Sequence, residues 1–365
     1  MAVKHTDEKS PSNVYLWGDS DRIAPKDLIA RLAEYENAKG INQDTYSLGG
    51  IIDTLEHEMA SLLGKEAAMF MPTGTLANHL VLRHLCTTQQ RVVLPEQSHI
   101  YNDTGDGLEK LSGIKLIPLG KNKAGFSLNE FKSAVKQSQE GRVPTPIGAM
   151  VIESPVRRKQ GEVIEFEDMK KITEYAKSQG IASHLDGARI FMMSAATGIP
   201  IKNYTALFDT VYVSLYKYLN APAGAIVAGS SDLMESMVGT RRMFGGALAG
   251  AYLYGALTLE ALQDFPENYA KAFQKATDLF TQLNPLNGID IHALEKGSNI
   301  FSLRLSDNIN YDMFHRQLNE AGVFLNPNHV PPSGLTIAVN TSILRQTNDQ
   351  ITVTFENALK KAVST

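Results

Sequence analysis

This chain of 365 residues contains a single cysteine, Cys86. One thiol excludes an intramolecular disulfide and any zinc cluster built from thiolates, and it suits a reducing cytoplasm. Long apolar runs are missing as well. The most apolar stretch, residues 221–229, is far short of the roughly 20 residues that cross a bilayer and reads as a buried strand. Residues 1–12 are polar and lack the apolar core of a signal peptide. The first 13 residues read as a disordered tail. Neither sign of charge dominates: 35 Lys and Arg stand against 39 Asp and Glu, for a net −4. That balance gives nucleic acid or an anionic membrane no reason to be the main partner. There is no internal repeat and no low-complexity segment. What is present is an ordinary globular composition, 43% hydrophobic and 20% charged, in a chain long enough for more than one folding unit.

Periodicity organises that chain. Residues 25–37 read as a helix with Leu28, Ile29, Leu32 and Tyr35 on one face. Residues 51–64 read as a second helix, ended by Gly64 as a C-cap. Apolar strands are expected at 67–71, 91–94, 114–119, 147–152, 181–185, 210–215 and 223–228. Helices are expected at 75–86, 128–137, 166–179 and 233–241. Strands alternating with helices predict an α/β fold with a mostly parallel sheet wrapped by helices. A long helix at 246–262 follows. Helices at 269–283, 310–321 and 348–363 then alternate with strands at 300–305 and 335–339, a smaller α+β unit. The expected division is an N-terminal arm and helix (1–45), a large domain (46–262) and a small C-terminal domain (263–365).

In parallel sheets, ligands bind outside the C-terminal strand ends. Glu153, His184, Asp186 and Lys217 all fall at or just past such ends. Each chemical motif has two readings. Pro72-Thr73-Gly74-Thr75 joins a strand to a helix, as an ordinary turn with a Thr cap or as a phosphate seat at a helix N-terminus. In His184-Leu185-Asp186-Gly187-Ala188-Arg189, Asp186 either caps a helix and pairs with Arg189 or holds a proton on a pyridine nitrogen. Lys217, in near-apolar surroundings, either snorkels to the surface or forms an imine. Its position 31 residues after Asp186, with the phosphate seat further upstream, favours the imine. His99 is either structural or stacks on a flat cofactor ring and handles protons.

The order Gly74-Thr75, His99, Glu153, Asp186-Gly187-Ala188-Arg189, Lys217 resembles the pyridoxal-phosphate (PLP)-dependent threonine aldolase and β-eliminating lyase family. The likeness runs over nearly the whole chain and is closest from Gly64 to Asn78 and from His184 to Phe191. The resemblance implies an aspartate-aminotransferase-like fold (fold type I) with sites at a dimer interface and often a tetramer. It implies that Lys217 carries PLP as a Schiff base and Asp186 pairs with the pyridine nitrogen. Gly74 and Thr75 would bind the phosphate, and His99 would stack on the ring. Arg189 and Ser20 would hold the substrate α-carboxylate, and Tyr46 would reach a neighbouring subunit's site. No metal is implied.

The sequence departs from the family at several positions. The usual Ser-Lys-Gly is Tyr216-Lys217-Tyr218, which removes a serine phosphate contact. The Gly-rich stretch after the lysine lacks its arginine, and Arg241 and Arg242 just before it are the candidates to substitute. A carboxylate-binding arginine expected on the late strand is absent from Leu335-Thr336-Ile337, with Arg345 downstream. The acid expected just after His99 is Thr104, with Asp103 adjacent. Tyr216, Tyr218 and Phe244 suggest a pocket for a larger or aromatic aldehyde. The implied activity is cleavage of a β-hydroxy-α-amino acid to glycine and an aldehyde. The alternatives are β-elimination, and a non-catalytic binding protein of the same fold. Products separate the first two; PLP binding without turnover of any amino acid marks the third.

Overall fold

The structure, a computed structural model, describes residues 12–21, 23–327 and 334–363. The polar tail expected at the N-terminus lies outside the described residues up to position 11, while Asn13 is buried. The chain divides into two compact units. The larger comprises Arg31–Gln263 and Glu295–Ser298; the smaller comprises Met1–Ala30, Asp264–Leu294 and Asn299–Thr365. Numbering starts with β1 (Val14–Tyr15), a short strand of the smaller unit that no sequence signal announced.

The larger unit is built on a seven-stranded sheet. Its members are β2 (Ala67–Met71), β3 (Arg91–Pro95), β4 (Lys115–Leu119), β5 (Ala149–Glu153), β6 (Ala182–Asp186), β7 (Thr210–Ser214) and β8 (Ala225–Gly229). Their order is β2-β8-β7-β6-β5-β3-β4. All neighbours are parallel except β8, which runs antiparallel to both β2 and β7. Strands β5, β7 and β8 are buried at every residue, which is why they read as continuous apolar runs rather than alternating ones. The expected mostly parallel α/β architecture is the one formed.

Helix α1 (Pro25–Lys39) forms, yet none of its residues is buried and Ile29 is 68% exposed. Helix α2 (Gly50–Leu63) ends at Gly64, whose φ of 63° is the left-handed turn glycine tolerates best. Helix α3 (Gly74–Leu85) and the short α4 (His99–Asn102) open directly after strands β2 and β3. The helix expected over 246–262 starts only at Tyr252. Residues before it form a loop in which two N–H groups go to side chains instead of helical carbonyls. Leu248 N–H donates to Ser47 Oγ and Ala251 N–H to Asp44 Oδ1, and Gly245 sits at φ 74°.

In the smaller unit, β9 (Ile289–Ala293), β10 (Ile300–Leu305) and β12 (Leu335–Ala338) form an antiparallel sheet, while β11 (Val323–Phe324) pairs with β1. Helices Phe265–Leu283, Tyr311–Glu320 and Asn348–Ala362 bury Leu279, Phe280, Phe314, Leu318, Ile351 and Phe355 in one apolar cluster. Among the described residues, no helix is long and apolar enough to cross a membrane.

Candidate active site

The site begins where β2 gives way to α3. Thr73 caps the helix, its hydroxyl accepting the Leu76 N–H at 3.1 Å. The N–H groups of Gly74 and Thr75, in the first helical turn, have no acceptor within the helix, and the positive dipole end adds to their pull on an anion. Gly74 is buried and its glycine identity has a steric cause. A Cβ added there would overlap the hydroxyl of Tyr212, which reaches up from β7.

One turn into α3, Asn78 is 2% exposed and organises the floor. Its Nδ2 donates to Asp186 Oδ2 at 2.8 Å. Its Oδ1 lies 2.9 Å from His184 Nε2, and His184 Nδ1 lies 2.8 Å from Thr210 Oγ1. These contacts fix one consistent proton arrangement. Because Asn78 donates to a carboxylate, its oxygen faces His184, so His184 carries its proton on Nε2 and accepts from the Thr210 hydroxyl at Nδ1. Burial favours that neutral form and pushes the His184 pKa down to about 4. Asp186 also accepts the Ala188 N–H at 3.3 Å. The result is a buried carboxylate, 2% exposed, held rigidly at the end of β6. Sequence reading placed His184 among the strand-end residues but did not single out Asn78. The available signal was an amide four residues after Gly74, on the same helix face.

His99 opens α4, where Ser98 accepts the Tyr101 N–H. Its own main-chain N–H donates to Glu153 Oε2 at 2.5 Å, and Glu153 Oε1 accepts Arg157 N–H at 3.0 Å. Glu153 ends β5 in register with Asp186 on β6. Burial first, and the Asp186 charge second, push the Glu153 carboxyl above its ordinary range, against the pull of those two N–H donors. Glu153 thus acts as an anchor for the turn that bears His99. The acid the family places just after this histidine is recovered by Asp103. Its Oδ2 lies 3.4 Å from His99 Nδ1, and its Oδ1 takes Arg158 at 3.0 Å. Thr104, at the family position, bonds to the Ile100 carbonyl.

Lys217 lies in the turn after β7, half-buried, its Nζ 5.9 Å from the Tyr216 ring centroid. Arg189, 8% exposed, stands at the N-terminus of helix Ile190–Thr197, close enough for its charge to act on Glu153 and Tyr212. Tyr212 in turn is affected by Asp186 and Tyr216. The structure therefore links Gly74, Asp186, Arg189 and the Tyr216-Lys217 turn around one phenol.

Most of the remaining arginines and aromatics are engaged by the protein itself. Tyr46, 43% exposed, lies under Arg242 at 4.3 Å, so Arg242 is engaged there. Arg241 is 1% exposed and donates to the carbonyls of Phe70 and Ser47, with Glu56 3.9 Å away. It braces the 44–50 loop from inside the protein. Ser20 is half-buried in a bend of the smaller unit. There, Arg345 is bound to Asp21 at 2.7 Å and to the Asn13 carbonyl. Of the three aromatics expected around a pocket, Tyr218 is 1% exposed and packs edge-on to Phe191. Phe244 packs with His79 and Arg83. Tyr216, 47% exposed, remains beside Lys217.

Together these residues form a donor set whose chemistry fits PLP: a helix N-terminus for a dianion, a buried carboxylate for a ring nitrogen, and a primary amine in the turn after β7. A family model described as beta-eliminating lyase matches residues 38–305. Low-specificity L-threonine aldolase 1 of Arabidopsis thaliana is 28% identical over 275 residues, covering 74% of this chain and 77% of that protein. An alanine racemase of Cochliobolus carbonum, TOXG, is 31% identical over 210 residues, covering 57% of this chain and 53% of that protein. A crystal structure from Listeria monocytogenes, described provisionally as an L-allo-threonine aldolase, superposes with a TM-score of 0.79 at 27% identity over 96% of each chain.

Proposed function

This chain belongs to the beta-eliminating lyase family, and from that membership we propose that it is a PLP-dependent, threonine-aldolase-like lyase. The reaction is cleavage of a β-hydroxy-α-amino acid to glycine and an aldehyde. The observation that carries the reading is the buried Asp186, held by Asn78 of helix α3, which is itself held by His184. Residues 46–262 would serve as the cofactor-binding domain, inside a larger unit that also takes in 31–45, while residues 1–30 belong with the small C-terminal domain rather than forming a separate arm with 31–45.

PLP, when bound, supplies the electron sink for the pair released as the substrate Cα–Cβ bond breaks. The chain's own groups do the rest. Lys217 would hold the cofactor covalently and Asp186 would keep a proton on its ring nitrogen. The Gly74 and Thr75 N–H groups would take the phosphate, and His99 would stack on the ring. Arg189 would hold the α-carboxylate and so orient the substrate for cleavage. Asp103 beside His99 Nδ1 favours a proton there. That tautomer leaves the Nε2 lone pair to take the β-hydroxyl proton.

The assembly we propose is a homodimer or homotetramer in which Tyr46 reaches a neighbouring site. The exposed Tyr46, Leu48, Leu253 and Ile29 support it. The single, buried Cys86 suits a cytoplasmic location.

The test is to incubate the purified protein with a panel of β-hydroxy amino acids and identify the products. Glycine plus aldehyde is expected. A 2-oxo acid plus ammonia would establish β-elimination instead. Lys217→Ala should remove both the visible absorption of bound PLP and turnover; an unchanged rate in that variant sinks the reading.

A further inference from the structure

Tyr212 was not singled out by any motif, yet it lies at the centre of the group around Asp186. It is on β7, paired in register with Asp186, and is 3% exposed. Its hydroxyl occupies the space where a Cβ on Gly74 would sit, at the first turn of α3. The close approach that this glycine permits is therefore made by a phenol from within the chain. Two residues on along the same strand face, Ser214 is fully buried, and its hydroxyl lies close enough to the Tyr212 phenol to act on it as a hydrogen-bond partner. Two hydroxyl side chains on one strand face thus stand next to a helix end that has N–H groups to spare. Burial, and then the Asp186 charge, raise the phenol's pKa, so it stays a proton donor at any working pH.

The phosphate donors the family would use are missing or engaged. The serine before the lysine is Tyr216, 47% exposed. Arg241 is committed to the carbonyls of Phe70 and Ser47, and Arg242 lies over Tyr46. A phosphate dianion at the Gly74-Thr75 turn has more acceptor sites than two N–H groups satisfy. Building on the PLP reading above, we infer that the Tyr212 hydroxyl donates a hydrogen bond to the cofactor's phosphate, replacing the family's serine, with Ser214 next to it. This also accounts for Gly74: a side chain there would push the phenol out of the seat.

The experiment compares PLP with pyridoxal, which lacks the phosphate. Both are titrated by absorbance into wild-type and Tyr212→Phe protein stripped of cofactor. A hydrogen bond to a charged group predicts that Tyr212→Phe weakens PLP binding by about tenfold to a hundredfold, with pyridoxal affinity and thermal midpoint unchanged. Ser214→Ala should give a smaller loss with the same selectivity. If wild type binds PLP and Tyr212→Phe binds it equally well, or loses PLP and pyridoxal in equal proportion, the phosphate contact is refuted while the PLP reading stands. A wild type that binds no PLP overturns both.

Discussion

The two units of this chain bury polarity in opposite ways. The larger buries seven acidic or basic side chains: Asp44, His79, Glu153, His184, Asp186, Arg189 and Arg241. Among the described residues the smaller buries none, only Asn13, Asn299, Asn340 and Ser342 among its polar groups. Its interior is a continuous apolar cluster around Phe314 and Phe355. Buried charge is costly unless paired or hydrogen-bonded. The larger unit meets that cost with defined networks such as Asn78–Asp186 and Glu153–His99. A core that carries such groups is organised for chemistry, whereas an apolar core is organised for stability.

Three substitutions bear on this contrast. The largest effect is expected at Asp186. Asp186→Asn keeps the shape but removes the charge, and should lower turnover by about 10²–10⁴-fold, the range a positioned proton-holding group contributes, with the fold intact by circular dichroism. Near-normal turnover would mean the buried charge is structural after all. Next is Phe355→Ala in the smaller unit. Phe355 is fully buried, with the Phe314 ring 5.9 Å away. The change should cost about 3–5 kcal/mol in urea denaturation while leaving PLP absorption per folded molecule unchanged. Loss of the cofactor signal before unfolding would show that the two interiors are not separable in this way.

The smallest effect is a pH dependence. The folded-state pKa of His184, about 4, lies below its unfolded value near 6.5. The stability tied to its neutral form is therefore complete above about pH 6.5 and is lost as pH falls toward 4, by roughly 3 kcal/mol at most. Thermal midpoints measured from pH 7 to pH 4 should fall less steeply in His184→Gln than in wild type. Equal slopes would remove His184 from the acid response and weaken its role as the support of Asn78.

Much of the fold was legible in the sequence, because apolar runs and capping residues act locally. Strand β2 and the Gly64 stop are read directly. The 246–262 helix was overextended because the partners that unwind its start, Asp44 and Ser47, lie some two hundred residues away. Short helices such as α4 and Gly107–Ser112 are too brief to show a period. In the site, Lys217, Asp186, Gly74 and His99 were visible as motifs. Asn78 and Tyr212 were not, since a lone amide or phenol has no spacing signature, and Asp103 was legible only as the neighbour of Thr104.

The order of strands and helices, and the chemical types offered at the strand ends, are properties of the sequence alone, since each depends on residues within a few positions of one another. Which groups are spent on holding the protein together is decided in three dimensions. Arg241 and Arg345 read as free cations in the chain but are bound to carbonyls and to Asp21 once it folds. The reason is physical: a hydrogen bond depends on distance and burial, and only the packed chain brings Tyr212 to Gly74 or Asn78 to Asp186.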